Sequence, residues 1–324
     1  MTMIDVRALV KTYPGQVEAV RGIDFNVKKG RIFGLLGPNG AGKSSTIRML
    51  ATLSRPTSGR IRIDGKDAAL DTVQIRRTIG YVAQSSVADV HLTGLENLML
   101  QGRLFGLGGE ALRQRAAHLL ALFDLEEAAN RRTKGWSGGM RRRLDLAMGL
   151  VHGPHLLLLD EPSAGLDPHS RAVMWREVER LAEKDGITII LSTHYLEEAD
   201  RLADEIAIID KGRIVATGTP HALKDRLRGD LVSIRLQSPD FDEDSLHAAL
   251  APLPFAVDVK CNGPQIDLRV DNGSTAMPAL MAALAAFDLQ EVSMSRASLD
   301  DVYLAVTGKP YDAVHSGVTQ KVAS

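Results

Sequence analysis

Residues 37–45, GPNGAGKSS, combine glycines, a lysine and two hydroxyl side chains in the pattern G-x-x-x-x-G-K-[ST]. A strand-like segment precedes them and a helix-like segment follows, which disfavours a chance glycine-rich turn. Such a loop turns several backbone N–H groups toward one anion, and the helix N-terminus adds the positive end of its dipole. We expect Lys43 to bind the β- and γ-phosphates of a nucleotide, Ser44 to bind Mg²⁺ and Ser45 to bind a phosphate. The residues predicted to contact the nucleotide here are Gly37, Pro38, Asn39, Gly40, Ala41, Gly42, Lys43, Ser44 and Ser45.

Two adjacent carboxylates end the apolar run LLLLDE, residues 156–161. A run this apolar is typical of a central strand of a parallel sheet, and ligands bind at the carboxyl ends of such strands. Asp160 is therefore predicted to orient Mg²⁺, and Glu161 to polarise an attacking water. The alternative for either residue is that it caps the following helix.

His194 ends a second apolar strand, in LSTH, where it could reach the γ-phosphate. The chain has nine histidines, and most histidines are surface or core residues. Position alone leaves both interpretations of His194 open.

A serine and two glycines open a third helix, in GWSGGMRRRLDLAMGL, residues 135–150. Ser137 can cap this helix, and Gly138 and Gly139 free its first amides for an anion. Because the loop at 37–45 already holds one nucleotide, this helix end is predicted to serve the nucleotide of a second subunit. Met140 and Leu144 belong to an apolar stripe, so the arginines at 141–143 are predicted to form a solvated or partner-facing surface, with Asp145 paired to Arg141.

The composition sets limits on the class of protein. The 324 residues favour two domains, and the formal net charge of −1 argues against a dedicated nucleic-acid-binding protein. Cys261 is the single cysteine, which excludes an internal disulfide and fits a reducing compartment. We find neither a signal-peptide pattern nor an apolar run near the ~20 residues that span a bilayer, so any membrane passage is expected to belong to another chain.

The elements that position these residues follow from the periodicity. Residues 1–36 read as strands, a helix is predicted from Lys43 to Leu53, and the region from about Leu92 to Leu125 is helical. From residue 156 strands alternate with helices, which predicts β-α-β units and a parallel sheet. From residue 229 the predicted order is β-α-β-β-α-β, the order of a ferredoxin-like module, and residues 309–324 are expected to be a mobile tail.

The motifs taken together resemble the ATP-binding subunits of ABC transporters, over about residues 3–225. WSGGM is similar to the family's LSGGQ segment, with Trp136 and Met140 in place of leucine and glutamine. SGGMRRRLDLA, STHYLEEAD and SLDDVYLAVTG narrow the resemblance to exporter ATPases of the daunorubicin-resistance type. The resemblance implies an α/β P-loop NTPase of ABC type, with a mixed sheet core, an antiparallel β part and a helical subdomain, followed by a small C-terminal α+β domain. The implied boundaries are 1–228 for the ATP-binding domain, about 85–150 for its helical subdomain and 229–308 for the accessory domain.

The resemblance also implies roles for further residues. Tyr13 would stack on adenine, Gln84 would bind metal and water, and Asp167 would meet the partner subunit. The alternatives are a strand-end tyrosine, a loop glutamine and a plain helix N-cap. His194 would act as the switch histidine, and Ser137 with Gly138 and Gly139 would close the second subunit's site.

The implied cofactors are ATP and Mg²⁺, with Ser44, Gln84 and Asp160 as the metal ligands. The implied partners are a separate transmembrane permease and a second ATP-binding subunit in a homodimer, without nucleic acid, at the cytoplasmic face of the membrane. We expect export of drugs, lipids or other hydrophobic compounds. An importer ATPase or a repair or translation ATPase is the alternative, although the interval from Lys43 to Asp160 has no heptad run and a single ATPase domain is present.

Overall fold

The computed structural model describes residues 1–227, 229–237, 242–253, 256–270 and 273–311. The described chain divides into two compact units, Met1–Pro220 and His221–Ala313. Of the tail predicted at 309–324, residues 312–324 lie outside the described residues. Within the described part of the chain, no helix has the length and apolar character needed to cross a membrane.

The first unit begins with a four-stranded antiparallel sheet in the order β2-β1-β4-β5. Apolar and polar residues alternate along β2, so one face of the sheet packs on the core. These strands form the antiparallel part of the predicted fold. Their bounds are β1 Thr2–Tyr13, β2 Val17–Lys28, β4 Ser58–Ile63 and β5 Lys66–Asp67.

A six-stranded sheet in the order β10-β9-β3-β8-β7-β6 forms the centre of the unit, parallel except for β10. Leu157 and Leu159 of β7 enter one core and Leu156 and Leu158 the other, which explains the unbroken apolar run. The strands are β3 Ile32–Leu36, β6 Ile79–Val82, β7 Leu156–Asp160, β8 Thr188–Thr193, β9 Glu205–Asp210 and β10 Arg213–Gly218.

Helices pack around this sheet, and their ends follow local capping rules. Thr93 and Glu96 form a capping box at the start of α3, and Asp167 caps α6 with Pro168 in its first turn. The helices of the unit are α1 Lys43–Leu50, α2 Thr72–Thr78, α3 Gly94–Leu104, α4 Gly109–Leu122, α5 Gly138–Leu150, α6 Pro168–Glu183 and α7 Leu196–Leu202. The predicted mixed fold of sheets and helices is confirmed.

Two details differ from the prediction. The helix expected from Lys43 to Leu53 ends at Leu50, because Thr52 takes a left-handed φ of 58°. The short elements α2 and β6 were not predicted, since Ile75 is the only buried residue of α2 and β6 has four residues.

The second unit begins at His221, the second residue of α8 (Pro220–Asp225), and contains an antiparallel sheet in the order β12-β13-β11-β14. Its chain order is β-α-β-β-α-β, which makes the arrangement a split β-α-β. The apolar core lies between the sheet and its two crossover helices. The elements are β11 Asp230–Leu236, α9 Glu243–Leu250, β12 Ala256–Asn262, β13 Gln265–Val270, α10 Gly273–Ala283, β14 Leu289–Ser295 and α11 Leu299–Thr307.

Candidate nucleotide-binding site

The loop between β3 and α1 is tight because two of its glycines leave no room for a side chain. A Cβ on Gly37 would lie 2.2 Å from the carbonyl oxygen of Ile209, and one on Gly42 would lie 2.3 Å from that of Ala19. Gly42 also has a φ of 106°, in the left-handed region that favours glycine. Because Gly42 is the N-cap of α1, the first N–H groups of this helix receive no side-chain cap. The loop therefore has the features of an anion-binding nest.

Lys43 places a buried positive charge at this loop. Its Nζ donates to the carbonyl oxygens of Gly37 at 2.8 Å and Pro38 at 3.0 Å, and lies 3.4 Å from Glu161 Oε1. Burial lowers the pKa of Lys43, and the negative charge of Glu161 opposes this shift. The lysine is thus held under the loop where a phosphate charge would need it.

Asp160 is fully buried at the end of β7 and joins three elements. Its Oδ1 accepts hydrogen bonds from Ser44 Oγ at 2.8 Å and Ser192 Oγ at 2.7 Å. Its Oδ2 is also buried, and no hydrogen-bond partner for it is found among the described residues. A carboxylate with an unbonded oxygen beside a serine hydroxyl is the hard oxygen donor set that Mg²⁺ prefers, so these residues fit the predicted metal.

The Glu161 carboxylate contacts three polar side chains, those of Lys43, Gln84 and His194. Its Oε1 faces Lys43, while its Oε2 accepts from Gln84 Nε2 at 2.9 Å and lies 3.2 Å from His194 Nδ1. Burial tends to raise the pKa of Glu161, but the hydrogen bond from His194 and the charge of Lys43 outweigh it and lower the pKa. Glu161 has a φ of 47°, a strained value for a residue with a side chain, and its N–H is held by the backbone and hydroxyl oxygens of Ser192.

Lys43, Gln84, Glu161 and His194 line a cleft of about 670 Å³, called here the nucleotide cleft. Tyr13 stands at the cleft, with its hydroxyl 3.2 Å from Ser45 Oγ and Lys11 Nζ 4.9 Å from its ring centre. Gly37, Pro38, Ala41 and Asp160 are buried residues that do not line it. The predicted site residues that line the cleft are Tyr13, Asn39, Gly40, Gly42, Lys43, Ser44, Ser45, Gln84, Glu161 and His194.

The start of α5 forms a separate site. Ser137 is exposed and caps the helix by accepting from Met140 N at 3.2 Å. A Cβ on Gly139 would lie 2.7 Å from Ser170 Oγ, and Ser170 in turn bonds the N-cap carboxylate of Asp167 through its N–H and its hydroxyl. Within the described residues, Asp167 and the Ser-Gly-Gly segment are not part of the lining of the nucleotide cleft. The structure therefore brings most predicted site residues together and sets these four apart.

Trp136, one residue before Ser137, is buried against the start of α3. A Cβ on Gly94 would lie only 2.5 Å from Trp136 Cη2. The indole therefore fills a space that exists because residue 94 has no side chain. This packing accounts for the tryptophan that stands in place of leucine.

The predictions for Arg142 and Asp145 are wrong. Arg142 is buried rather than solvated, and its guanidinium donates to backbone carbonyls on two loops of the cleft. Asp145 does not pair with Arg141, because its Oδ1 accepts from Ser86 Oγ at 3.0 Å and Val87 N at 3.1 Å. The prediction of a single apolar stripe on α5 was wrong because this helix is enclosed on nearly all sides from residue 144 onward.

Three further residues of the site were not predicted. In the sequence, Ser192 is only a hydroxyl residue in an apolar strand. Nothing in the sequence distinguishes Arg142 from the other two arginines of its run. Glu198 is fully buried, is hydrogen-bonded by Thr193 at the end of β8 and accepts from Trp175 Nε1 at 2.9 Å. Burial raises the pKa of Glu198, against hydrogen bonds from Thr193 and others.

The amino-acid sequence matches the family model of the ABC transporter over residues 20–164. It is 43% identical to the daunorubicin/doxorubicin resistance ATP-binding protein of Streptomyces peucetius, over 95% of this chain and 93% of the relative. It is 40% identical to the doxorubicin resistance ATP-binding protein of Mycobacterium tuberculosis, over 95% of each chain. The linearmycin resistance ATP-binding protein of Bacillus subtilis is 36% identical, over 95% of this chain and 99% of the relative.

Solved structures agree with the sequence matches. An ATP-binding cassette solved as a dimer in a post-hydrolysis state, bound to ADP and Pi, superposes with a TM-score of 0.62 at 28% identity, covering 67% of this chain and 98% of that one. The ATP-binding subunit of an ABC transporter gives 0.62 at 31% identity, covering 69% and 93%. The resemblance inferred from the sequence motifs is confirmed, and the chain belongs to the ATP-hydrolysing, nucleotide-binding subunits of ABC transporters, within the daunorubicin-resistance group.

Proposed function

We propose that this chain works as a pair of ATP-hydrolysing subunits that power a membrane exporter of hydrophobic compounds. The observation that carries the proposal is the position of Glu161. Its carboxylate is held by Lys43, Gln84 and His194 at the open end of a parallel sheet, beside a phosphate-binding loop. This is the arrangement that in-line attack of water on a γ-phosphate requires.

The phosphates are bound by this chain's own groups. The uncapped N–H groups of α1 and the ammonium of Lys43 neutralise charge on the β- and γ-phosphates. Ser44 and Asp160, with Gln84, would hold Mg²⁺, which when bound supplies further charge neutralisation on the phosphates. Tyr13, at the cleft beside Ser45, would stack on the adenine base.

Glu161 then acts on the water and His194 on the γ-phosphate. The lowered pKa of Glu161 keeps it ionised at neutral pH, so it can accept a hydrogen bond from the attacking water. His194, whose Nδ1 is next to Glu161 Oε2, would contact the γ-phosphate and report its presence. The strained backbone of Glu161 and its anchoring to Ser192 fix the carboxylate for this role.

A second subunit would complete each site. The exposed Ser137 and the free first turn of α5 are suited to bind a phosphate, yet they lie outside the lining of their own nucleotide cleft. We therefore propose that Ser137, Gly138 and Gly139 bind the γ-phosphate held by the partner, with Asp167 at the same interface. ATP would join the two subunits and hydrolysis would release them.

The permease would bind a second, apolar groove of about 360 Å³ in the same unit. Leu53 and Val87 line it and are well exposed, and Phe105 stacks on His152 at 3.8 Å in its wall. An amphipathic helix on the cytoplasmic side of the permease fits such a groove. Val87 follows Gln84 closely along the chain, so the groove adjoins the nucleotide cleft through one short segment.

Export and substrate class are proposed from the relatives. Relatives of the chain are named for daunorubicin or doxorubicin resistance, for linearmycin resistance and for Nod factor export. We propose a hydrophobic drug or lipid-like compound as substrate and the cytoplasmic face of the membrane as the location. Residues 1–228 would be the ATPase domain, with the helical subdomain at about 85–150, and residues 229–308 an accessory domain.

The test is to purify the chain with the permease from its native membrane and to reconstitute both in vesicles. MgATP should drive movement of daunorubicin across the vesicle membrane, and the Lys43→Ala variant should not. ATP hydrolysis that is coupled to inward movement of a polar nutrient would contradict export. A chain that hydrolyses no ATP with its permease would contradict the whole proposal.

A further inference from the structure

Arg142 connects the two loops that carry Gln84 and Glu161. It lies one turn into α5, is 6% exposed, and projects all three guanidinium nitrogens toward backbone oxygens. Nε donates to Pro162 at 2.7 Å, and Nη2 lies 3.3 Å from two further carbonyls. Nη1 donates to the loop before Gln84. The acceptors are the carbonyl oxygens of Ala83, Gln84 (at 3.5 Å), Asp160, Glu161 and Pro162.

Asp145, three residues further along α5, holds the other end of the Gln84 loop. Its Oδ1 accepts from the hydroxyl of Ser86 and the N–H of Val87. Arg142 and Asp145 thus grip residues 83–87 on both sides of Gln84. We call these two residues the α5 clamp.

Only an arginine can make this connection. The loops present carbonyl oxygens in different directions, and the planar guanidinium supplies donors along several edges, whereas a lysine ammonium is a single compact charge. Removal of the guanidinium would leave several buried carbonyls without these donors. The clamp therefore fixes the position of the backbone that carries Gln84 and Glu161.

Ser137 is the N-cap of the same helix and Gly139 lies in its first turn, about one turn before Arg142. We propose that Arg142 is a positioning residue that sets Gln84 and Glu161 for hydrolysis, and that through α5 it links the partner's ATP to this subunit's own catalytic loops. This inference rests on the proposed function, because the partner's ATP is bound by the start of α5 only in the paired subunits. When Ser137 and Gly139 bind the partner's ATP, the α5 clamp on the same rigid helix holds the two loops of this subunit's own nucleotide cleft.

The test compares Arg142→Gln with Arg143→Gln in the full chain with its permease. Arg143 is the matched control, since it is on the same helix and donates to a single carbonyl, that of Phe123, away from the cleft. Arg142→Gln should bind ATP with unchanged affinity, because the phosphate loop is intact, and should lose about 10- to 100-fold in kcat, because Glu161 and Gln84 are misplaced. Cooperativity between the two ATP sites should fall as well, and Arg143→Gln should retain both.

Two readouts separate positioning from general stability. Hydrogen exchange should accelerate at residues 83–87 and 161–163 of Arg142→Gln, while the loop at 37–45 keeps its protection. If that variant does not fold, Arg142→Lys replaces it and should show the same loss of kcat, because one compact ammonium cannot reach the carbonyls of both loops. Wild-type kcat and cooperativity in a folded Arg142→Gln would overturn the inference, as would exchange that rises uniformly. An inactive wild-type chain would instead refute the proposed function.

Discussion

Replacement of Ser192 by alanine tests the hydrogen-bond network that holds Asp160 and Glu161. Ser192 is fully buried, donates to Asp160 Oδ1 at 2.7 Å and accepts from the N–H of Glu161 at 3.0 Å. The Glu161 N–H keeps a second acceptor, the Ser192 carbonyl at 3.1 Å, so the main loss is one hydrogen bond to the Asp160 carboxylate. Such a bond contributes roughly 1.5–3 kcal/mol. We therefore expect Ser192→Ala to lower the free energy of unfolding by about 2 kcal/mol, or Tm by about 4–8 °C for a unit of this size.

The assay uses tryptophan emission during urea unfolding. The chain has two tryptophans, and Trp136 and Trp175 are both buried in the unit Met1–Pro220, so the signal reports on that unit. Ser45→Ala is the control, because it removes a bond of 3.2 Å between two neutral hydroxyls that are partly buried, and it should cost less than about 1 kcal/mol. Equal losses for the two variants would refute the network.

Two further predictions concern packing and pH. Gly94→Ala should destabilise the fold because its Cβ would overlap Trp136, while the double variant with Trp136→Leu should lose less than the sum of the single losses in a double-mutant cycle. Additive losses would exclude the contact. The pKa of Glu198 is raised by burial, so its contribution to stability is complete below its ordinary value of 4.5 and is lost as pH rises through the raised pKa. Unfolding of Glu198→Gln, followed by tryptophan emission between pH 4.5 and 8, should lack that decline, and the same decline in both proteins would contradict the assignment.

Much of the nucleotide cleft was predictable because its residues belong to short local patterns. The loop at 37–45 needs glycine, lysine and serine at fixed spacing, and the structure places them together with Glu161. The alternation of strands and helices after residue 156 likewise set the parallel sheet, whose open end gathers the ends of β7 and β8.

The residues that escaped prediction act through contacts that are distant in the sequence. Arg142 reaches Ala83 and Pro162, respectively 59 and 20 residues away, and no local period reveals such partners. A buried arginine and an exposed one look alike in a run of three. Arg142 was predicted to be solvated because the sequence of α5 resembles that of a surface helix with one apolar stripe. Packing against the sheet and α3 instead encloses most of this helix.

We propose that ATP joins two copies of this chain through Ser137 and Gly139 of one and the phosphate loop of the other. The most direct measurement is the mass of the Glu161→Gln variant in solution under saturating MgATP. Because this variant keeps the proposed phosphate-binding groups and loses the carboxylate that we propose acts on water, we predict an ATP-bound dimer that forms without turnover. Ser137→Ala in the same background should weaken the dimer. A folded Glu161→Gln protein that binds ATP and stays monomeric would contradict the account.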